Sequence, residues 1–357
     1  MIYRTPKIDG GLERRLLELD DLRTRLGQET ERPLRWIGTL RRLVKATTVE
    51  SSTSIEGFSV SPEKAVSLVS GDDRPRAGDE DQMAVASYAR AMRHVAAMAA
   101  DPRFQWSERV LLDLHFDACE FQGDKDPGQW RRGPIQVTGA GGRIAYRGPD
   151  GAEVPDLMAE AVAWLQRGDL EAPAIVRAAM AHLHVAAIHP FRDGNGRVAR
   201  IAQSLVLARE GLVSYEFASI EEYLGERTQD YYDVLERTQG GSYQPERSAR
   251  EWVEFCVEAH IDQAQRRLGQ IAAAGERWSR LEAIAESRDW PERLIVALEQ
   301  GLVGGADRAT YAREADVSPA TASADLRRLV DAGLLDQRGR GPSSRYLASD
   351  ALRREIG

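Results

Sequence analysis

The sequence predicts a mainly α-helical protein with one small β-hairpin near its middle and a separate helical unit at its C-terminal end. Three observations carry that reading. Apolar residues recur at helical spacing over most of the 357 residues. The period breaks between Gly123 and Pro155, where glycine and proline accumulate. Near Pro291 a new pattern begins: helix-length segments around a tight turn, then a glycine-rich, basic stretch. A chain of this length holds two or three domains, and the boundaries read as 1–105, 106–285 and 290–357.

Taken in order, Leu12 to Leu26 and Arg32 to Val49 read as helices. Gly71 to Gly78 is a polar, exposed loop. Gln82 to Ala99 and Ser107 to Cys119 return to helix. Within the break, Ile135-Gln136-Val137 and Ile144-Ala145-Tyr146 alternate like short strands around the turn Gly139-Ala140-Gly141-Gly142, which predicts a hairpin. Pro155 to Gln166 is helical again. Ala174 to Ile188 is Ala-rich and reads as a buried helix.

Composition narrows the function classes. The net charge of −8 argues against general nucleic-acid binding by the whole chain, though not against a local basic face. Cys119 and Cys256 are far apart, suggest no disulfide framework and read as core residues. Met1 to Pro6 has no apolar signal region, and no apolar run approaches a membrane span. The expectation is a soluble, cytoplasmic protein with no membrane partner.

The chemistry concentrates between His189 and Arg200. Pro190 pushes its predecessor away from the helical region, so His189 should sit at a helix end. Gly194 and Gly196 allow positive φ and close approach of a ligand. Val198, Ile201, Ala202, Leu205 and Val206 repeat at helical spacing, so the loop opens a helix N-terminus, where free N–H groups and the dipole favour phosphate. Arg197 and Arg200 stand three apart, on one face of the first turn. Asp193 suits a hard divalent cation. His182, His184 and His189 lack a His-Glu-x-x-His pattern or a matching cysteine, so no transition-metal site is expected; His182 reads as a buried, hydrogen-bonded residue.

The segment His189-Pro190-Phe191-Arg192-Asp193-Gly194-Asn195-Gly196-Arg197-Val198-Ala199-Arg200 resembles the Fic signature, H-P-F-x-[D/E]-G-N-G-R-x-x-R, at every constrained position. At roughly 5% per residue type, chance gives such a match on the order of once in 10¹¹ sites. The resemblance implies a Fic-type helical core with a small β-hairpin flap. It implies transfer of AMP from ATP to a Ser, Thr or Tyr hydroxyl of a protein, self-modification included, with Mg²⁺ as cofactor. By position, His189 becomes the base and Asp193 the Mg²⁺ ligand. Gly194, Asn195 and Gly196 cradle the phosphates, and Arg197 and Arg200 neutralise the β- and γ-phosphates. The hairpin falls where the family carries its flap, which puts Val137, Thr138 and Gly139 among the ATP-binding residues. Asp230-Tyr231-Tyr232-Asp233 resembles the family's adenosine-packing segment, with Gln239 where other members carry Asn.

Ser52-Thr53-Ser54-Ile55-Glu56-Gly57 resembles the family's inhibitory motif, [S/T]-x-x-x-E-[G/N]. Ser52 and Glu56 are four apart, so a helix would present both on one face. The resemblance implies that Glu56 competes with the γ-phosphate for Arg200. Removal of AMP and other phosphate transfer on the same fold stay open, as does a DNA-binding regulator.

At the C-terminal end, Arg308 to Ala315, the turn Asp316-Val317-Ser318 and the helix from Pro319 to Ala332 lead into Arg338-Gly339-Arg340-Gly341 and Ser344-Arg345-Tyr346-Leu347. This resembles a winged-helix domain. Arg338, Arg340 and Arg345 would sit on its wing, which favours phosphate contact. DNA binding and a docking role both fit. The protein target, the releasing signal and a homodimer are not readable.

Overall fold

The computed structural model describes residues 1–31, 36–211, 215–339, 341 and 344–357. In order the elements are α1 (Gly10–Glu31), α2 (Ile37–Ser54), α3 (Pro62–Ser70), α4 (Glu80–Ala100), α5 (Glu108–Cys119), β1 (Gln136–Thr138), β2 (Ile144–Arg147), α6 (Val154–Arg167), α7 (Ala174–Ile188), α8 (Asn195–Arg209), α9 (Tyr215–Ala218), α10 (Glu221–Glu226), α11 (Thr228–Gln239), α12 (Arg250–Ser287), α13 (Arg293–Val303), α14 (Arg308–Glu314), α15 (Pro319–Asp331), β3 (Leu335–Arg338), β4 (Arg345–Ala348) and α16 (Asp350–Ile356). The fold is mainly helical, as the periodicity predicts, and has two small antiparallel hairpins, the predicted one near the middle and one in the C-terminal stretch. The expected start of the second helix at Arg32, and Arg340 of the basic stretch, fall outside the described residues.

Helix starts follow local chemistry. Asp79, Ser107 and Ser318 each accept a hydrogen bond from an N–H of the following first turn, and Pro319 sits where its missing N–H costs nothing. At the centre, α7 packs along α8. Every α7 side chain from Ile175 to Ile188 is buried, because small apolar residues surround the whole helix. Both cysteines are buried and free.

The 38-residue helix α12 joins two cores. Its first half gives Trp252, Val253 and Cys256 to the core around α7. Its second half gives Trp278, Leu281 and Ile284 to a core that also holds Leu26, Trp36 and Leu40, together with Leu294, Tyr311, Leu326 and Leu352. The apolar faces of α13 to α16 are therefore continuous with α2 and α12. The β3–β4 hairpin is extended by a bridge between Ala306 and Tyr346. Arg338 is exposed, while Arg345 pairs with Asp307 at 3.1 Å. No helix among the described residues is long and apolar enough to cross a membrane.

Candidate active site

The site begins where α7 ends. His189 caps the helix in the left-handed conformation, φ 52°, which is uncommon without glycine. That turn carries its ring out of the helical path. Its Nδ1 lies 3.1 Å from the Ala186 carbonyl. A carbonyl can only accept, so Nδ1 carries the proton and Nε2 keeps a lone pair. Burial lowers the pKa of His189 below the usual 6.5, so the ring is neutral at pH 7.

Two residues from the hairpin region hold this helix end. The buried Arg131 donates to the carbonyls of His189 at 2.7 Å, Pro149 at 2.8 Å, Gly133 at 2.6 Å and Ile188 at 3.3 Å. Its backbone N–H reaches the Pro190 carbonyl at 2.8 Å. The Tyr146 hydroxyl donates to the Ala187 carbonyl at 2.6 Å. The last carbonyls of α7, which a helix leaves without partners, thus tie the hairpin to the histidine. A Cβ on Gly148 would fall 2.7 Å from Ile135 and 3.1 Å from Arg131, so a side chain at the hairpin's exit would have to displace both.

The loop after His189 is rigid. The Asn195 side chain accepts from the Phe191 N–H at 2.8 Å and donates to the Phe191 carbonyl at 2.9 Å. Its amide therefore shapes the loop, and its backbone N–H, at the start of α8, is left for a phosphate. Phe191 is buried, stacked on His115 at 3.7 Å. His115 accepts from the Gly128 N–H at 2.7 Å and so donates through Nε2 to the Asp193 carbonyl at 3.0 Å. Burial lowers its pKa to about 4, which keeps it neutral in that role. Gly194 has φ 76°, and a Cβ there would lie 2.4 Å from the Cys119 sulfur. The Asp193 carboxylate takes the Gly194 N–H at 2.6 Å and the Gln122 amide at 2.9 Å, and stays 38% exposed.

Arg197 and Arg200, expected on one face, diverge. Arg197 turns toward α5: it donates to Gln122 at 2.7 Å and to the Ala118 carbonyl at 3.3 Å, between the rings of Phe58 and Phe121. Arg200 turns toward the end of α2. It donates to Ser52 Oγ at 2.7 Å, the Ser52 carbonyl at 2.9 Å and Glu56 Oε1 at 2.8 Å. Burial is the largest single influence and would lower the Arg200 pKa; the Glu56 charge and hydrogen bond together with Tyr231 and Tyr88 outweigh it, and the net direction is up. Helix α2 stops at Ser54, so Ser52 and Glu56 do not share a helical face as their spacing predicts. Glu56 follows in a turn closed by Gly57, φ 90°, and reaches the same arginine from there. Its carboxylate lies over Gly196, where a Cβ would come within 2.4 Å of Oε1. An anion already occupies the N-terminus of α8, and it belongs to the chain itself.

A cavity of about 630 Å³ opens here. Val137, Thr138 and Gly139 of the hairpin, His189, Asp193, Gly194, Asn195, Gly196, Glu56, Tyr231, Tyr232 and Gln239 line it. Ser52, Arg197 and Arg200 lie behind its wall. Tyr231 is core: 2% exposed, its hydroxyl 3.1 Å from His182. Tyr232 is 41% exposed. Arg143 in the hairpin turn grips Glu236 of α11 at 2.5 and 2.6 Å. The Arg147 end of β2 pairs onward with Gly241 and Tyr243, while β1 forms the outer side of the hairpin. Among the described residues no group of three His, Cys, Asp or Glu is placed to hold a metal. Asp193 offers one carboxylate with open lone pairs, which fits Mg²⁺ arriving on phosphate oxygens and water.

Sequence reasoning missed His115, Gln122, Arg131 and Tyr146 as site residues. His115 and Gln122 come from α5 and the turn after it, Arg131 and Tyr146 from the broken stretch, and no local pattern ties them to the loop after His189.

Residues 105–207 match the Fic/DOC family profile. The chain is 30% identical over 176 residues to the protein adenylyltransferase Fic of Culex quinquefasciatus, covering 48% of this chain and 32% of that protein. It is 30% identical over 141 residues to a uridine 5′-monophosphate transferase of Xanthomonas campestris, covering 37% and 26%. The chain thus spans between 26% and 40% of the lengths of the curated relatives it matches. A Fic family protein from Desulfovibrio desulfuricans has the same fold, with TM-score 0.61, 21% identity and 98% and 99% of the two chains covered.

Proposed function

We propose, because residues 105–207 match the Fic/DOC family profile, that the chain transfers AMP from ATP to a Ser, Thr or Tyr hydroxyl of a protein, itself included. The observation that carries this is the free Nε2 of a neutral His189 in one cavity with Asp193 and the N-terminus of α8. Nε2 takes the proton of the target hydroxyl as its oxygen attacks the α-phosphorus. The bond to the β-phosphate breaks and pyrophosphate leaves. The first N–H groups and dipole of α8 hold the phosphate charge. Asp193 would hold Mg²⁺, which neutralises charge on the leaving phosphates when bound. The outer edge of β1 aligns the target by main-chain pairing, and Tyr232 packs against the adenosine.

Glu56 is the brake in this reading. While it pairs with Arg200, the γ-phosphate is denied that arginine and ATP binds out of register. Glu56 and His189 also line the same cavity, which favours removal of AMP as a second reading, with Glu56 positioning water. For residues 290–357 the core shared with α2 and α12 favours docking over DNA reading.

ATP labelled at its α-phosphate should mark the protein, and ATP labelled at its γ-phosphate should not. UTP offered alongside tests the nucleotide, because one relative is named for UMP. Marking by the γ-label would end the proposal.

A further inference from the structure

A second cavity, of about 320 Å³, lies against the first half of α2, away from the site above. Arg41, Arg42 and Lys45 of α2 line it, with Arg93 of α4 and Arg313 of α14. Two carboxylates answer these charges in part. Glu216 lies 3.2 Å from Arg41 and 3.6 Å from Lys45, and Glu314 pairs with Arg42. Arg93 and Arg313 are exposed and have no acidic partner among the described residues.

The Thr48 and Ser70 hydroxyls nearby are closed off from water and lie behind the cavity wall, so its chemistry is set by the charged side chains. Five cationic side chains against two carboxylates in the lining favour an anion over a metal ion or an apolar guest. Arginine forks match phosphate, and the volume suits a small molecule.

We propose that this cavity binds a small phosphate-bearing anion, held between α2, α4 and α14. Its position gives the binding a consequence. Arg41, Arg42 and Lys45 stand on α2, and the turn that follows this helix carries Glu56. An anion joining α2 to α4 and α14 contacts the docked helix better than a displaced one, so it shifts the population toward the braked state. This consequence rests on the reading of Glu56 above; the binding does not.

Calorimetric titration of the full chain with pyrophosphate and with AMP, each with the active-site cavity saturated by a non-hydrolysable ATP analogue, tests the site. Saturable binding is expected, about tenfold weaker in Arg93→Ala and in Arg313→Ala, the share of one charge-assisted hydrogen bond. Both residues are exposed, so folding is not at stake. Tighter AMP marks a nucleotide ligand and tighter pyrophosphate a free phosphate. No binding, or binding unchanged in both variants, overturns the site. The part of the anion's slowing of self-modification that excess ATP does not reverse should need about tenfold more anion in Arg93→Ala. If binding is weakened there and that slowing keeps its wild-type concentration dependence, the regulatory consequence fails alone. If no variant transfers AMP yet binding stands, the proposed activity fails alone.

Discussion

Glu56→Gly should raise the rate of self-modification. The carboxylate is 2.8 Å from Arg200 Nη2, with Arg200 1% and Glu56 19% exposed at the side chain. A hydrogen bond to a charged group contributes about 1.5–3 kcal/mol, which shifts a two-state equilibrium by roughly 10- to 150-fold. The partly wet carboxylate points to the lower half of that range. Arg200 should stay in place without Glu56, because Ser52 still accepts two of its hydrogen bonds. Arg200→Ala also breaks the pair but deletes the γ-phosphate partner, so its activity should stay low, and the double variant should match it. AMP incorporation over time, at fixed ATP and Mg²⁺, compares the four proteins. Equal rates for wild type and Glu56→Gly would refute competition for Arg200. So would an Arg200→Ala variant as active as Glu56→Gly, which would mean general loosening of the end of α2.

Four further outcomes follow from the geometry. In Glu56→Gly, the acid limb of the rate profile should have its midpoint below 6.5, because burial favours neutral His189 and the base is lost only as pH falls through that lowered pKa; a midpoint at or above 6.5 contradicts the burial argument. Arg131→Lys should not restore what Arg131→Met loses, since one ammonium cannot serve four carbonyls spread around a planar fork; both variants should melt lower and transfer slowly, and wild-type transfer by the lysine variant would remove Arg131 from its positioning role. Tyr231→Ala should destabilise the fold by about 3–5 kcal/mol, as for other buried aromatics, measured by denaturant unfolding. Tyr232→Ala should leave stability nearly intact and weaken binding of an ATP analogue, and unchanged affinity would take it out of the nucleotide site.

The sequence made the loop from His189 to Arg200 legible because its constraints are local. Pro190 ends a helix, Gly194 has a positive φ, and α8 starts at once. The hairpin was legible from alternation and glycine. What was not legible depends on tertiary contacts. Spacing put Arg197 and Arg200 on one face, but α5 and α2 draw them apart. Spacing also put Ser52 and Glu56 on one helix, but Gly57 closes a turn after Ser54. Tyr231 and Tyr232 read alike as neighbours, and only the packing of His182 and Trp252 separates a core ring from a cavity ring. The unit after Pro291 looked separate because its pattern changes there; that its apolar faces continue into Trp36 and Trp278 is written in no local signal.

The central claim is tested most directly by the intact mass of Glu56→Gly and of Glu56→Gly/His189→Ala after incubation with ATP and Mg²⁺. The account predicts a gain of one or more whole AMP groups on the first protein, one pyrophosphate released for each, and no gain on the second. An unchanged mass on the first protein, a gain of phosphate alone, or an AMP gain that survives loss of His189 would contradict it.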